Sequence, residues 1–210
     1  MQQIFDFFIE PYKSTPALYI VLETVAFVFG VLSVYYAKKE NILVYPTGLV
    51  ATTITVFLLY KAGYFGDMLM NVYYSIMSIY GWWNWSRKKG DEYIVPISRT
   101  NTKEKIIGVI MCLATMVVTY LVYKGAGYTI AITNYIDIFT SGIFFTAMWY
   151  MANKKIENWT LWIFADIITV PLYAYRGLGI LSVQYIIFTI LAIQGYREWK
   201  QSLNKSSQIV

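Results

Sequence analysis

The sequence predicts an all-α integral membrane protein whose seven transmembrane helices form two parallel three-helix units joined by one linking helix. Three observations predict it. Apolar residues come in blocks of about 20, the length that crosses a bilayer. The basic residues collect on one side of those blocks. The chain also aligns with itself, without gaps, at an offset of 114 residues.

The spans fall at 17–37, 42–60, 67–85, 105–123, 133–151, 158–175 and 179–198. Composition agrees: 58% of residues are hydrophobic and 14% charged, against about 45–50% and about 25% in soluble domains. Segments such as "FLLY" and "IIGVIMCLATMVV" lack the alternation of a membrane β-barrel strand. Residues 1–16 hold Asp6 and Glu10 with no basic leader. They read as an interfacial helix before Pro16 opens the first span, not as a cleaved signal peptide. Residues 17–85 form the first unit and 86–132 a loop with the linking helix; 133–199 form the second unit and 200–210 a tail.

With seven spans, 13 of the 17 basic residues share the side of the carboxy-terminus, and only Lys13, Lys61, Lys124 and Arg176 lie opposite. Positive residues stay inside, so the carboxy-terminus is expected in the cytoplasm and the amino-terminus outside. The net charge of +5 therefore reports topology and not nucleic-acid binding.

At the offset of 114, Glu23 falls on Asp137, Tyr36 on Tyr150, Tyr45 on Trp159, Ala51 on Ala165, Gly63 on Gly177, Gly81 on Gly195 and Trp85 on Trp199. Glycines, terminal tryptophans and a mid-span acid matching in one register indicate a true repeat. Repeat-built transporters hold substrate near mid-membrane, between their halves.

Three acids lie within spans: Glu23, Asp137 and Asp166. A carboxylate there costs at least about 2.5–3.5 kcal/mol, so it faces a partner or water. No Lys or Arg lies deep enough to neutralise them. Glu23 and Asp137, being repeat mates, read as structural or gating groups, protonated or bonded to hydroxyls. Asp166 has Thr52 as its mate, breaks the symmetry, and suits a cationic ligand. Trp162 lies one turn from it on the same face; Trp159, at the boundary, reads as an interface residue. Pro171 should loosen the helix beyond Asp166. In the third span Asp67, Asn71, Tyr74, Ser78 and Trp82 share one face at spacings of 4, 3, 4 and 4. Asn71, Tyr74 and Trp82 join the candidate site, as does Gln184 of the seventh span. Trp83, Trp85 and Trp199 are expected to anchor the membrane exit.

Cys112 is the only cysteine and there is no histidine. A disulfide within the chain is excluded, as are a cysteine metal cluster and histidine-activated nucleophiles. No P-loop occurs. An enzyme, a cofactor and a metal are not expected.

"IYGWWNWSRK", "ENWTLWIFADIITVPLYAYRGL" and "SVQYIIFTILAIQGYREW", with the acids of "LETVAFVFGVLS" and "IDIFTSGIFFTAMWYMANKKIENW", resemble the PnuC family of bacterial vitamin transporters over nearly the whole chain. The resemblance implies a SWEET-like three-plus-one-plus-three fold, a homotrimer in the bacterial inner membrane, and facilitated diffusion of nicotinamide riboside with trapping by cytoplasmic phosphorylation. It also implies Asn, Gln and Asn as ligand groups in spans two, three and six; the matching positions are Ala51, Asn71 and Asp166. These departures keep thiamine, another cationic aromatic vitamin, as the alternative substrate. A SWEET-type sugar facilitator ranks lower, because a neutral sugar needs no unpaired acid. A membrane receptor that binds without transport is a further class, separable by flux.

Overall fold

The computed structural model describes residues 13, 15–62, 65–89, 92–93, 95–125, 127, 130–177 and 179–206. The expected interfacial helix over residues 1–16 lies outside them except for Lys13, Thr15 and Pro16. Seven helices follow in order: α1 (Ala17–Lys38), α2 (Val44–Ala62), α3 (Phe65–Ser86), α4 (Thr102–Gly125), α5 (Ile132–Ala152), α6 (Glu157–Tyr175) and α7 (Gly179–Ser206). Each sits on one of the expected spans, and α7 runs past the expected end at 198. The chain is a multi-pass, all-α membrane protein. Four helices (α1, α2, α4 and α7) are long and apolar enough to cross a bilayer on their own composition. The other three, α3, α5 and α6, carry Asp67, Asn71, Asp137 and Asp166.

Consecutive helices pack within each trio, α1 on α2 on α3 and α5 on α6 on α7; α1 against α7 and α3 against α5 then close a ring of six. The linking helix α4 packs on α5. Gly142 makes that approach possible, since a Cβ there would lie 2.6 Å from the carbonyl of Cys112. Asn101 and Glu104 start α4 with a reciprocal capping box, each side chain accepting from the other's backbone N–H at 2.9 and 2.8 Å. Ahead of it, Lys88–Lys89 and Glu92–Tyr93 form a short antiparallel hairpin. Ser98 is then held under the α5–α6 turn: its N–H donates to Lys154 and its carbonyl accepts from Ile156, both at 3.0 Å.

The offset of 114 is physical at the basic end of the molecule. Glu40 and Lys154 are repeat mates, and both adopt the left-handed conformation (φ 53° and 51°) after α1 and α5. Each helix closes in the same Schellman pattern. Asn41 N–H donates to Tyr36 O and Lys155 N–H to Tyr150 O at 2.9 Å; Glu40 donates to Ala37 and Lys154 to Met151 at 3.0 Å. The two mates then bond each other, Lys154 Nζ to Glu40 Oε1 at 2.7 Å. A position that touches its own equivalent lies on the local two-fold axis relating the two turns.

The core at this end is aromatic. Tyr45, Trp85, Trp159 and Trp199 are buried together. Trp85 and Trp199 donate their indole N–H to the carbonyls of Ala152 (3.2 Å) and Ala37 (3.1 Å), each reaching across to the other trio. Gly81 and Gly195, also mates, make room for the mates Tyr45 and Trp159. This corrects three expectations: Trp85, Trp159 and Trp199 are buried pins between helices, not interface anchors. Position beside a basic run cannot separate the two roles; the facing helix decides. Trp83 is exposed, as a membrane-exit residue should be.

Candidate functional site

The polar stripe of α3 and the acidic face of α6 meet through their aromatic rings. Tyr74 and Trp162 have ring centroids 6.3 Å apart, and Trp162 lies 5.4 Å from Phe144 of α5. From α7, Tyr185 reaches within 6.0 Å of Phe144, 5.2 Å of Tyr173 and 5.7 Å of Phe188. Tyr74, Tyr173 and Tyr185 are each half-buried.

Asp166 lies one turn beyond Trp162 on this face, 1% exposed. Among the described residues, its Oδ2 has no hydrogen-bond partner. Buried polar oxygens are nearly always bonded, so an orphaned one asks for an explanation. Its environment is Tyr74 and Tyr185, both within electrostatic reach, and the ring of Trp162.

Gln184 is half-buried on α7, and its Nε2 would sit 3.2 Å from a Cβ added at Gly30, which also faces Phe188 and Ala51. Asn71 is half-buried, and its amide donates to the carbonyl of Asp67 at 3.0 Å. Ser75, one turn on, shares a hydrogen bond of 2.8 Å with Thr52 of α2. Pro171 is exposed and sits inside an unbroken α6. Lacking an N–H, it leaves the carbonyl of Ile167 without its helical donor. Glu23 is half-buried on α1.

Two expectations are corrected here. Trp82 does not continue the inward stripe: it is 42% exposed, while its neighbours Gly81 and Trp85 turn the buried side of α3 toward Tyr45 and the carbonyl of Ala152. Asp137 does have a protein cation. Arg176 Nη2 lies 2.6 Å from its Oδ2, and Tyr123 donates to the same oxygen at 3.1 Å. Arg176 stands beyond the end of α6, yet its long side chain reaches back into the bundle. Burial lowers the guanidinium pKa; the hydrogen bond and charge of Asp137 outweigh it and hold Arg176 above its ordinary value. The mate of Arg176 is Ala62, so the first trio does not repeat this pairing.

Sequence reasoning did not select Phe144, Tyr173, Tyr185 or Phe188. The signal was present for two of them: Tyr173 is seven residues after Asp166, and Phe144 seven after Asp137, each two turns along the same face. Among the described residues, no group of three metal-ligating side chains occurs.

The chain matches the nicotinamide mononucleotide transporter family over residues 20–201. It is 24% identical over 204 residues to the nicotinamide riboside transporter PnuC of Escherichia coli, covering 86% of this chain and 85% of that protein. It is 22% identical over 195 residues to the PnuC of Neisseria mucosa, covering 89% and 74%. With the riboflavin/roseoflavin transporter RibM of Streptomyces davaonensis it shares 24% identity over 125 residues, 59% and 58% of the two chains. A crystal structure of the vitamin B3 transporter PnuC superposes with a TM-score of 0.69 at 22% identity, over 88% of this chain and 82% of that one.

Proposed function

The chain belongs to the nicotinamide mononucleotide transporter family, and from that premise we propose that it carries nicotinamide riboside into the cell by facilitated diffusion, with cytoplasmic phosphorylation trapping the product. The observation that carries this reading is the buried, unpartnered carboxylate oxygen of Asp166 beside the rings of Trp162, Tyr74 and Tyr185. A ligand with a fixed positive charge on an aromatic ring supplies what that place lacks. It brings a cation for the carboxylate and a π-face for the tryptophan. In this reading Trp162 stacks on the ring, Asp166 meets its charge, and Asn71, Tyr74 and Gln184 bond its polar groups. Trp82 drops out of the set, while Glu23, Asp137 and Pro171 serve packing and movement.

The architecture we propose is the three-plus-one-plus-three parallel repeat of the SWEET type. It is supported by the closed ring of six helices with α4 outside it and by the repeat-mate contact of Glu40 with Lys154. The basic end would be cytoplasmic, with the amino-terminus outside in a bacterial inner membrane, and the protein would assemble as a homotrimer.

Thiamine is the second reading, favoured by one specific feature: Asp166 and Ala51 stand where the resemblance implies asparagines. Titration of tryptophan fluorescence in the purified protein separates the two. Saturable quenching by nicotinamide riboside, lost in Asp166→Asn and in Trp162→Phe, supports the main reading. Quenching by thiamine alone transfers the assignment. Riboflavin, which is uncharged, should not compete; if it binds while both cations fail, the charge argument is refuted.

A further inference from the structure

Asp67 opens the stripe that leads to Asp166. It lies in the first turn of α3 and is exposed. Asn71 and Tyr74 follow it on the same face, and Tyr74 meets Trp162, one turn from Asp166. Seven residues of helix separate Asp67 from Tyr74, a rise of about 10 Å. Tyr74 and Tyr185 each lie within electrostatic reach of both carboxylates.

The ionisable groups at this end include Lys61 and Lys124, in the last turns of α2 and α4, and three others interact as a cluster, Asp67, Asp137 and Arg176. Arg176 is committed to Asp137 at 2.6 Å. Within that cluster two acids and one base leave one negative charge, and the ion pair leaves it on Asp67. At the other end of the stripe, Asp166 is 1% exposed and its Oδ2 has no hydrogen-bond partner among the described residues. An exposed carboxylate thus opens the stripe, a buried one lies one turn from Trp162, and the Tyr74–Trp162 ring contact links the two helices.

We propose that Asp67 is an outer docking carboxylate: it captures the cationic ring of the substrate at the mouth and hands it along Tyr74 and Tyr185 to Asp166. This rests on the transport reading above and adds to it a residue that sets selectivity for charge. The alternative role for a first-turn acid is to complement the helix dipole. That role affects stability and leaves substrate capture alone.

The test is initial-rate uptake of labelled nicotinamide riboside and, separately, thiamine into proteoliposomes, at low salt and at roughly 0.3 M salt, where charge interactions are screened. Charge focusing at a mouth changes capture by about 10-fold or more, so Asp67→Asn should raise KM about 10-fold for whichever vitamin is carried. Its kcat should stay unchanged, the difference should shrink at high salt, and Asp67→Glu should restore the wild-type KM. An unchanged KM in Asp67→Asn, with flux intact, overturns the docking role and leaves the transport reading standing. A loss of kcat that Asp67→Glu fails to rescue also overturns it, by assigning Asp67 to structure. If the wild-type protein carries neither cation, both inferences fall.

Discussion

Replacing Glu40 by Gln tests whether the contact between the two halves is held by charge. The pair measures 2.7 Å, with Lys154 4% and Glu40 37% exposed. Stranding the lysine of a fully buried pair would cost about 3–5 kcal/mol. Two features reduce that here. Glu40 is more than one-third exposed, so water already screens its carboxylate. Lys154 also sits 4.7 Å from the centre of the Trp85 ring, a cation–π contact worth about 0.5–1 kcal/mol or more that survives the substitution. The expected loss is about 2 kcal/mol, which in a chain of this size lowers Tm by roughly 4–8 °C. The assay is a thermal melt followed by intrinsic fluorescence in detergent. Glu40→Gly separates the backbone from the charge: it relieves a left-handed residue, a gain of about 1 kcal/mol, and should melt above Glu40→Gln. Exchanging the two residues, Glu40→Lys with Lys154→Glu, should recover only part of the loss, because it restores the pair but puts the carboxylate at the buried position over the Trp85 ring. If Glu40→Gln melts within about 1 °C of wild type, the pair is ornamental and the two-fold argument loses its energetic content.

The remaining predictions concern the tryptophan pins and the far end. Gly195→Ala puts a Cβ 2.7 Å from the Trp159 ring and should cost about 1–3 kcal/mol, as overpacked cores do. Gly81→Ala, which drives a methyl into the Tyr45 ring, should cost at least as much. Gly125→Ala, with open space around it, should be neutral in the same melts. Arg176→Gln leaves Asp137 with the Tyr123 hydroxyl and should cost about 1–3 kcal/mol. Adding Asp137→Asn should recover much of that, and strict additivity of the two losses would show that they are uncoupled.

How far the sequence reading carried depends on the range of the interaction concerned. Helices were legible because hydropathy and length are local. The turns after α1 and α5 were legible as equivalents because the repeat register paired Tyr36 with Tyr150 and Ile42 with Ile156. The fate of Trp85, Trp159 and Trp199 was not, since an indole beside a basic run reads alike whether it meets lipid or the carbonyl of Ala37. Arg176 was missed for a related reason. Depth was counted along one helix, whereas a long side chain at a helix end samples the depth of its neighbours.

The repeat also separates what the two halves share from what differs between them. What the halves share is structural: the Schellman turns, the glycines under Tyr45 and Trp159, and the indoles pinned on carbonyls. Where they differ, the interior changes character. Thr52 and Ser75 satisfy each other at 2.8 Å in the first trio. Their mates are Asp166 and Thr189. Ser75 and Thr189 make the same bond to the carbonyl one turn back, of Asn71 at 3.0 Å and of Tyr185 at 2.8 Å. But no hydroxyl contact like that of Thr52 with Ser75 reaches Asp166 Oδ2, which has no partner among the described residues. Phe144 and Trp162 have Gly30 and Gly48 as mates, so aromatic faces in one half stand where the other half has no side chain. A symmetric bundle would present one asymmetric ligand with the same chemistry from both sides. This one presents an acid and rings from α5 and α6, and small or internally satisfied residues from α1 and α2. At the turns after α1 and α5 the backbones agree; in the interior the side chains differ. In the proposed reading, substitution at Ala51 or Asp166 changes selectivity without disturbing the turns that hold the two trios together.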